Sequence, residues 1–349
     1  MIYDKDFIME KLHYFDYPLE QEPPRDQMTI KEKQAYDFRR AVFRWWDSLE
    51  DNWKRLLLYT SHLQDDDYPN QVDNSQLENK PIEPEKKSDL LKVLEIKYLN
   101  SDYLGGDIYF DKFIPLDFLP NLQSIAFEGQ GFKDFSAMRR LCNLQEFIVI
   151  QDNIQSLDFL HPNICKTLER LFFWGVNWGE QLDFKELSDL THLKELTLLE
   201  NNVADISFAT SLKRLTEIDI STNSRLVDIR PLSALKNLNN VELAYNRISD
   251  ISPLINLKKL RWLDLDQNHI EDISPLAELK NLSNLTLSNN PIKDFTPLLK
   301  LTGLNTLRIN NTPISEKQLT ELQKALPGCK IHAGHGDNYI YNWPEKREW

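Results

Sequence analysis

The sequence predicts an α/β protein: a curved, right-handed solenoid with a parallel sheet on its concave face and a helical cap at its N-terminus. The main observation is an internal repeat. The stretch LDLDQNHIEDISPL, residues 263–276, recurs as VELAYNRISDISPL 22 residues earlier and as LTLSNNPIKDFTPL 22 residues later. Self-similarity at a fixed period of this length is typical of a solenoid, in which each repeat buries its apolar side against its neighbours.

Ten repeats can be followed from the spacing L-x-x-L-x-L. The later copies are regular, whereas the early ones are longer and degenerate. They begin at Leu91, Leu122, Leu144, Leu168, Leu193, Leu215, Leu238, Leu260, Leu282 and Leu304. In each repeat the L-x-L core predicts a short strand whose leucines point into the solenoid, while the residues between them point outward.

An asparagine follows each regular strand, and an aspartate and usually a proline follow the asparagine. The asparagine side chain is expected to satisfy backbone groups of the turn that would otherwise be buried without a partner. Proline restricts the return segment to extended chain or short helical turns, so full α-helices are not expected there. The asparagines are Asn201, Asn223, Asn246, Asn268 and Asn290, and the aspartates are Asp205, Asp228, Asp250, Asp272 and Asp294.

Three segments are predicted. Residues 1–88 form an N-terminal helical cap region with a polar linker, residues 89–331 form the solenoid with a closing C-terminal helix, and residues 332–349 form a tail. A capping box, Thr29 to Glu32, opens the main cap helix. Trp45 and Trp46 on that helix either plug the first repeat, which we favour, or offer an aromatic patch to a partner.

Composition narrows the choice of partner. Asp and Glu number 54 against 41 Lys and Arg, a net charge of −13, which disfavours nucleic acid and anionic membranes and favours a basic protein segment. The start of the chain, MIYDKDFIMEKLHYF, carries acidic residues where a secretory signal carries basic ones. Cys142, Cys165 and Cys329 are odd in number and widely spaced. Together these features predict a cytoplasmic protein.

No metal or cofactor is predicted. Asp264, Asp266 and Asn268 have the spacing that opens an EF-hand calcium loop, but its sixth and twelfth positions hold His269 and Pro275 instead of Gly and Glu. The tail stretch IHAGHGD, with His332, His335 and Asp337, lacks a fourth ligand. No nucleophile signature or phosphate-binding loop is present in the sequence.

The motif L-x-x-L-x-L-x-x-N-x-I-x-D-I-x-P-L, clearest in residues 238–301, resembles the 22-residue leucine-rich repeats of bacterial internalins and of related phosphatase-regulating proteins. The resemblance covers about residues 91–331. It implies a non-catalytic scaffold that binds a partner protein on its concave face. The alternatives are a secreted or delivered adhesin or effector of internalin type, and, less favoured, an enzyme with a site in the N-terminal region.

The outward strand residues form two zones that we interpret as the partner-binding surface. The first is expected to be an exposed apolar patch made of Ile148, Ile150, Phe172 and Trp174. The alternative is that the chain itself covers Phe172 and Trp174. The second zone is acidic and contains Glu195, Glu217, Asp219, Glu242, Trp262, Asp264 and Asp266.

Overall fold

The computed structural model describes residues 182–334 without a gap, many of residues 119–176, and single residues and short runs within 33–57 and 93–100. The chain divides into two compact units, Met1–Leu193 and Lys194–Trp349. The described residues contain eleven β-strands, all paired in parallel within their units. The three-part division of the chain predicted from the sequence stays a prediction.

The first unit contains four strands that pair in chain order. They are β1 Tyr98–Asn100, β2 Ser124–Glu128, β3 Glu146–Ile150 and β4 Arg170–Trp174. The register places Ala126, Ile148 and Phe172 side by side on one face. A short 3-10 helix, Lys185–Asp189, ends the described part of the unit.

The spacing L-x-x-L-x-L from Leu91 places the first strand around residues 93–96, and this prediction was wrong. Val93 and Leu94 are helical, and the strand begins at Tyr98. Both residues are buried, and so is Ile96. A helical turn packs Val93 and Leu94 into the core, so the strand begins only after it.

Aromatic rings fill the core of the first unit. Trp53, from the N-terminal helical residues, meets Phe127 of β2 edge to face with 6.1 Å between ring centroids. Phe147 of β3 contacts Phe135 at 5.5 Å and Phe173 of β4 at 5.8 Å, again edge to face. These are the preferred geometries for aromatic pairs. The N-terminal helical residues therefore share one core with the early repeats.

The tryptophan pair expected in the N-terminal helix is buried. Trp45 is 7% exposed and Trp46 is 1% exposed, and their rings meet edge to face at 6.5 Å. This burial favours the packing interpretation over an exposed aromatic patch.

The second unit contains seven strands in chain order. They are β5 Glu195–Leu199, β6 Glu217–Asp219, β7 Asn240–Glu242, β8 Trp262–Asp264, β9 Asn284–Thr286, β10 Thr306–Arg308 and β11 Lys330–His332. The return segments are 3-10 helices at Ser207–Ser211, Arg230–Ala234, Ser252–Asn256, Ser274–Glu278 and Thr296–Lys300. The expectation of short helical turns is confirmed. Proline stands at the start of the last four of these helices.

The expected role of the asparagines is also confirmed: their side chains form a ladder of hydrogen bonds that runs along the repeats. All five asparagines are buried. Asn223 shows the pattern: its side-chain oxygen accepts from the backbone N–H groups of Asn201 and Val203, and its amide donates to three carbonyls, among them that of Leu198. Each rung therefore joins consecutive repeats and satisfies backbone groups that water cannot reach.

The aspartates that follow the ladder open the 3-10 helices. Asp250 and Asp272 each accept a 2.8 Å hydrogen bond from the backbone N–H two residues later. Asp205, Asp228 and Asp294 make the same bond. This local bond is the reason that a short polar residue is needed where the chain turns back.

A helix closes the second unit. Helix α1, Glu316–Ala325, begins with a capping box between Ser315 and Gln318, and strand β11 follows it. Both elements were predicted from the sequence. Cys329, the one cysteine within the described residues, carries a free thiol. No helix in the described parts of the chain is long and apolar enough to cross a membrane.

Candidate partner-binding surface

The outward residues of the second unit lie in rows that run across the strands. In the middle row Asp219, Glu242 and Asp264 are in register on β6, β7 and β8, followed by Thr286 and Arg308. Neighbouring strands lie about 4.8 Å apart, so three carboxyl groups stand side by side. The structure thus brings the acidic residues predicted from the sequence into one line.

Asp264 is the most perturbed carboxyl group of this row. Its Oδ1 accepts a 2.9 Å hydrogen bond from the backbone N–H of Asp266. Burial raises the pKa of Asp264 to about 8, and the negative charges of Asp266, Glu242 and Asp219 add to the rise. The side chain therefore holds a proton at neutral pH unless a cation approaches.

Asp266 lies in the next row and is 3% exposed. Burial raises its pKa to about 6, while a hydrogen bond from Ser288 and the charge of Arg308 oppose the rise. Its Oδ1 has no hydrogen-bond partner among the described residues. Two further atoms, Ser221 Oγ and Asn240 Oδ1, lie at outward positions of the two preceding repeats. Both are buried and have no hydrogen-bond partner among the described residues.

The remaining predicted residues flank this row. Trp262 is 44% exposed, an unusual state for an indole on a sheet. Trp262 is in register with Asn240 on β7, which is in register with Glu217 on β6. Glu217 is in turn in register with Glu195 on β5. Both glutamates are half-buried. The acidic zone, defined here as Glu195, Glu217, Asp219, Glu242, Trp262, Asp264 and Asp266, therefore forms one continuous surface of the second unit.

The apolar zone of the first unit differs from the prediction. Phe172 is 6% exposed and Ile148 is 7% exposed, so the expectation of an exposed patch was wrong for both. Ile150 and Trp174 are half-buried. Phe172 and Ile148 stand next to each other in register and shield each other's flanks, and removing such side chains from water is favourable.

The calcium-like spacing has a structural explanation. The Asn268 amide donates to the carbonyls of Leu243, Leu265 and Asp266, and its oxygen accepts from the N–H of Ile248. All its bonding capacity serves the ladder. No group of three metal-binding side chains occurs within the described segments. His332 lies exposed on β11, and the other two residues of the tail motif, His335 and Asp337, fall outside those segments.

A basic surface on the second unit was missed. Lys194, Arg214, Lys259 and Arg261 line one groove at the edge where the chain enters strands β5 to β8. The signal was present in the repeats, because KRL, KKLR and similar runs precede the outward strand residues. The net charge of −13 did not indicate this basic surface, because a net charge does not show where the charged residues lie.

The repeats and the parallel sheet define the class of fold: a leucine-rich-repeat solenoid. Residues 236–278 match the family model described as leucine-rich repeats in two copies. A comparison with curated protein sequences gave no match.

Among the solved structures that resemble this chain are three bacterial proteins. The internalin InlF of Listeria monocytogenes is 22% identical with a TM-score of 0.50, over 82% of this chain and 90% of that chain. Internalin C2 of the same species is 21% identical with a TM-score of 0.47, over 73% and 91% of the two chains. A leucine-rich-repeat protein of Leptospira interrogans is 22% identical with a TM-score of 0.42, over 61% and 73%. At this identity the likeness to InlF shows the fold. Solenoids of this kind typically present an extended surface for binding other proteins.

Proposed function

We propose that this protein is a non-catalytic interaction scaffold that binds a partner protein on the acidic zone of its second unit. The observation that carries the proposal is the in-register row of Asp219, Glu242 and Asp264 beside the exposed indole of Trp262. Aromatic residues next to complementary charge are typical of the centre of a protein interface.

The fold gains nothing from the acidic row. Like charges directly opposite each other on neighbouring strands destabilise a sheet, and burial makes the cost larger. The equivalent positions on β9 hold Thr286 and on β5 hold Thr197, which shows that uncharged residues suit this place. A costly arrangement that packing does not require is a mark of a functional surface.

The chemistry of the zone favours a basic segment of the partner. A lysine or arginine side chain placed over the row would pair with Asp219 and Glu242 and would favour loss of the proton from Asp264. Trp262 would stack on the aliphatic stem or the cationic head of that side chain. The acids would also steer the partner during approach.

The apolar zone of the first unit contributes less than the sequence suggested. Ile150 and Trp174, which are half-buried, remain candidates for partner contact. Ile148 and Phe172 lie two residues earlier on the same strands and are buried. Trp262 therefore replaces Phe172 as the proposed anchor.

The proposal can be tested by capturing the partner and measuring its affinity. Wild-type protein and the variant Trp262→Ala would be used to capture proteins from a lysate of the native host. A protein retained by the wild type and lost by the variant would then be titrated against both by calorimetry. Equal retention by the two forms would remove the acidic zone as the binding surface.

The cytoplasmic location is part of the same proposal. A secreted or delivered adhesin would use the same surface on a different partner. Fractionation of the native host with an antibody to the protein separates the two. Recovery in the cytoplasmic fraction supports the scaffold, and recovery outside the cell supports the adhesin.

A further inference from the structure

A groove of about 820 Å³ runs along one edge of the second unit, apart from the acidic zone. Its lining comes from two positions of each repeat, one residue and three residues before the strand. The first position supplies Lys194, Asn239 and Arg261, and the second supplies Arg214, Asn237 and Lys259. No acidic side chain lines it among the residues that the structure describes.

The floor of the groove is a rigid backbone ladder. The N–H of Thr216 donates to the carbonyl of Lys194, that of Asn239 to Thr216, and that of Arg261 to Asn239, each at 2.8 Å. Equivalent residues therefore repeat about every 4.8 Å along the groove. A surface held in this way is preorganised, so a ligand would not have to order it.

The cationic groups of the groove have hydrogen-bond donors that are available to a ligand. Within the segments that the structure describes, the guanidinium groups of Arg214 and Arg261 make no ion pair or side-chain hydrogen bond. Lys259 donates one hydrogen bond of 2.7 Å to Oδ1 of Asn237, which leaves two of its three protons for a ligand.

Other lysines at this edge have a structural role, which distinguishes them from the groove residues. Lys213, Lys258 and Lys280 lie one position earlier in their repeats. Each donates to the last carbonyl of the 3-10 helix in the next repeat. Cations at that position stabilise the helix end. Helix capping does not account for Arg214, Lys259 and Arg261.

We infer that this groove binds an extended acidic segment of a partner protein. Arg214 and Lys259 stand two repeats apart, about 10 Å. Carboxylates two and four residues apart lie on one face of an extended chain, separated by about 7 and 13 Å, and the long arginine and lysine side chains can reach either spacing. The asparagine amides between them can pair with peptide N–H and C=O groups. Arginine binds carboxylates through two parallel hydrogen bonds, so the site selects for acidic side chains.

A protein segment suits the groove better than a nucleic acid. The described residues of the lining include no aromatic side chain on which bases could stack. The groove spans five repeats, about 19 Å, and the rest of the chain is strongly acidic. A long polyanion would extend beyond the groove onto repulsive surface, whereas a short acidic segment would not.

The test uses full-length protein and labelled peptides followed by fluorescence anisotropy. The probe is a nonapeptide with four glutamates spaced by glycine and serine, and its partner has glutamine in place of each glutamate. At about 20 mM salt, where screening is weak, we expect the acidic peptide to bind and the neutral one not to bind. The double variant Arg214→Gln and Arg261→Gln should weaken binding roughly tenfold or more.

The matched control is Arg225→Gln with Arg247→Gln, two exposed arginines of the second unit outside the groove. It changes the net charge equally and should leave affinity within about twofold. The pair Arg214→Lys and Arg261→Lys keeps the charge and should retain most of the binding. Equal losses in the two glutamine variants, or no binding of the acidic peptide, would overturn the inference. Tighter binding of a single-stranded oligonucleotide of equal length would also overturn it. Thermal melts verify that each variant is folded.

Discussion

The side-chain oxygen of Asn268 accepts a 3.0 Å hydrogen bond from the backbone N–H of Ile248, which belongs to the preceding repeat. The same bond recurs from Ile270 to Asn290. Each of these asparagines thus holds the backbone of the preceding repeat as well as that of its own repeat. This explains why the motif holds an amide at this position while the outward strand residues vary.

Replacing Asn268 by alanine should destabilise the second unit by about 2–4 kcal/mol, because one N–H and three carbonyls would lose a buried partner. The measurement is urea denaturation followed by far-ultraviolet circular dichroism. The control is Asn256→Ala, which removes an exposed asparagine. It should change stability by less than about 0.5 kcal/mol. Equal effects of the two substitutions would contradict the role of the ladder.

The contact between Trp53 and Phe127 predicts that the N-terminal helical residues stabilise the early repeats. Trp53 is fully buried, so Trp53→Ala should cost about 3–5 kcal/mol in the first unit. Limited proteolysis with mass spectrometry should show faster cleavage within residues 119–176. Trp262→Ala is the matched control, because its indole is exposed and its removal should leave that cleavage rate unchanged. An unchanged rate in Trp53→Ala would mean that the helical residues do not stabilise these repeats.

Sequence reasoning was most successful where the repeat is strictest. The strands, the asparagine ladder and the aspartate turns between residues 193 and 312 follow from spacing alone, because every copy repeats the same local chemistry. The method failed at the first repeat. There Val93, Leu94 and Ile96 are all buried, and no second copy of equal length was available to fix the register.

The candidate site was only partly predictable. Alternation along a strand tells which side chains point outward, and this placed Asp219, Glu242 and Asp264 in one row. It cannot tell which outward residues are then covered, so Phe172 was assigned an exposure that it lacks. The basic groove combines residues from several repeats before their strands, and reading each strand separately could not reveal it.

Trp262 is expected to be the anchor of partner binding. Truncation of a central aromatic residue typically costs about 2 kcal/mol or more, so Trp262→Ala should weaken affinity for a captured partner by at least about thirtyfold. Val227→Ala is the control, since Val227 is 53% exposed and lies outside the acidic zone. Calorimetric titration of both variants gives the comparison. An affinity reduced equally by the two changes, or by neither, would exclude Trp262 as the anchor.

The acidic row should also make the free energy of unfolding depend on pH. The pKa of Asp264 is about 8 in the folded protein, raised mainly by burial, against an ordinary value of 3.8. Between these values the folded state binds more protons than the unfolded state. The free energy of unfolding must therefore fall as the pH rises from about 4 to about 8. Asp266, with its pKa raised to about 6, contributes in the same direction over the lower part of that range.

Asp264→Asn should flatten this decline, because the amide cannot ionise and its oxygen can still accept the hydrogen bond from the N–H of Asp266. Each unit of pKa corresponds to about 1.4 kcal/mol, so the rise from 3.8 to about 8 sets an upper bound of about 6 kcal/mol on the gain in stability at about pH 8.5. Relaxation and water penetration around the ionised group reduce this gain, and we expect about 1–3 kcal/mol, with little difference below about pH 4. Urea denaturation across this range measures the effect. Glu321→Gln, which makes the same chemical change at an exposed site on α1, should leave the profile parallel to that of the wild type. A profile of Asp264→Asn that also runs parallel to the wild type would show that Asp264 ionises freely and that the acidic row carries no electrostatic strain.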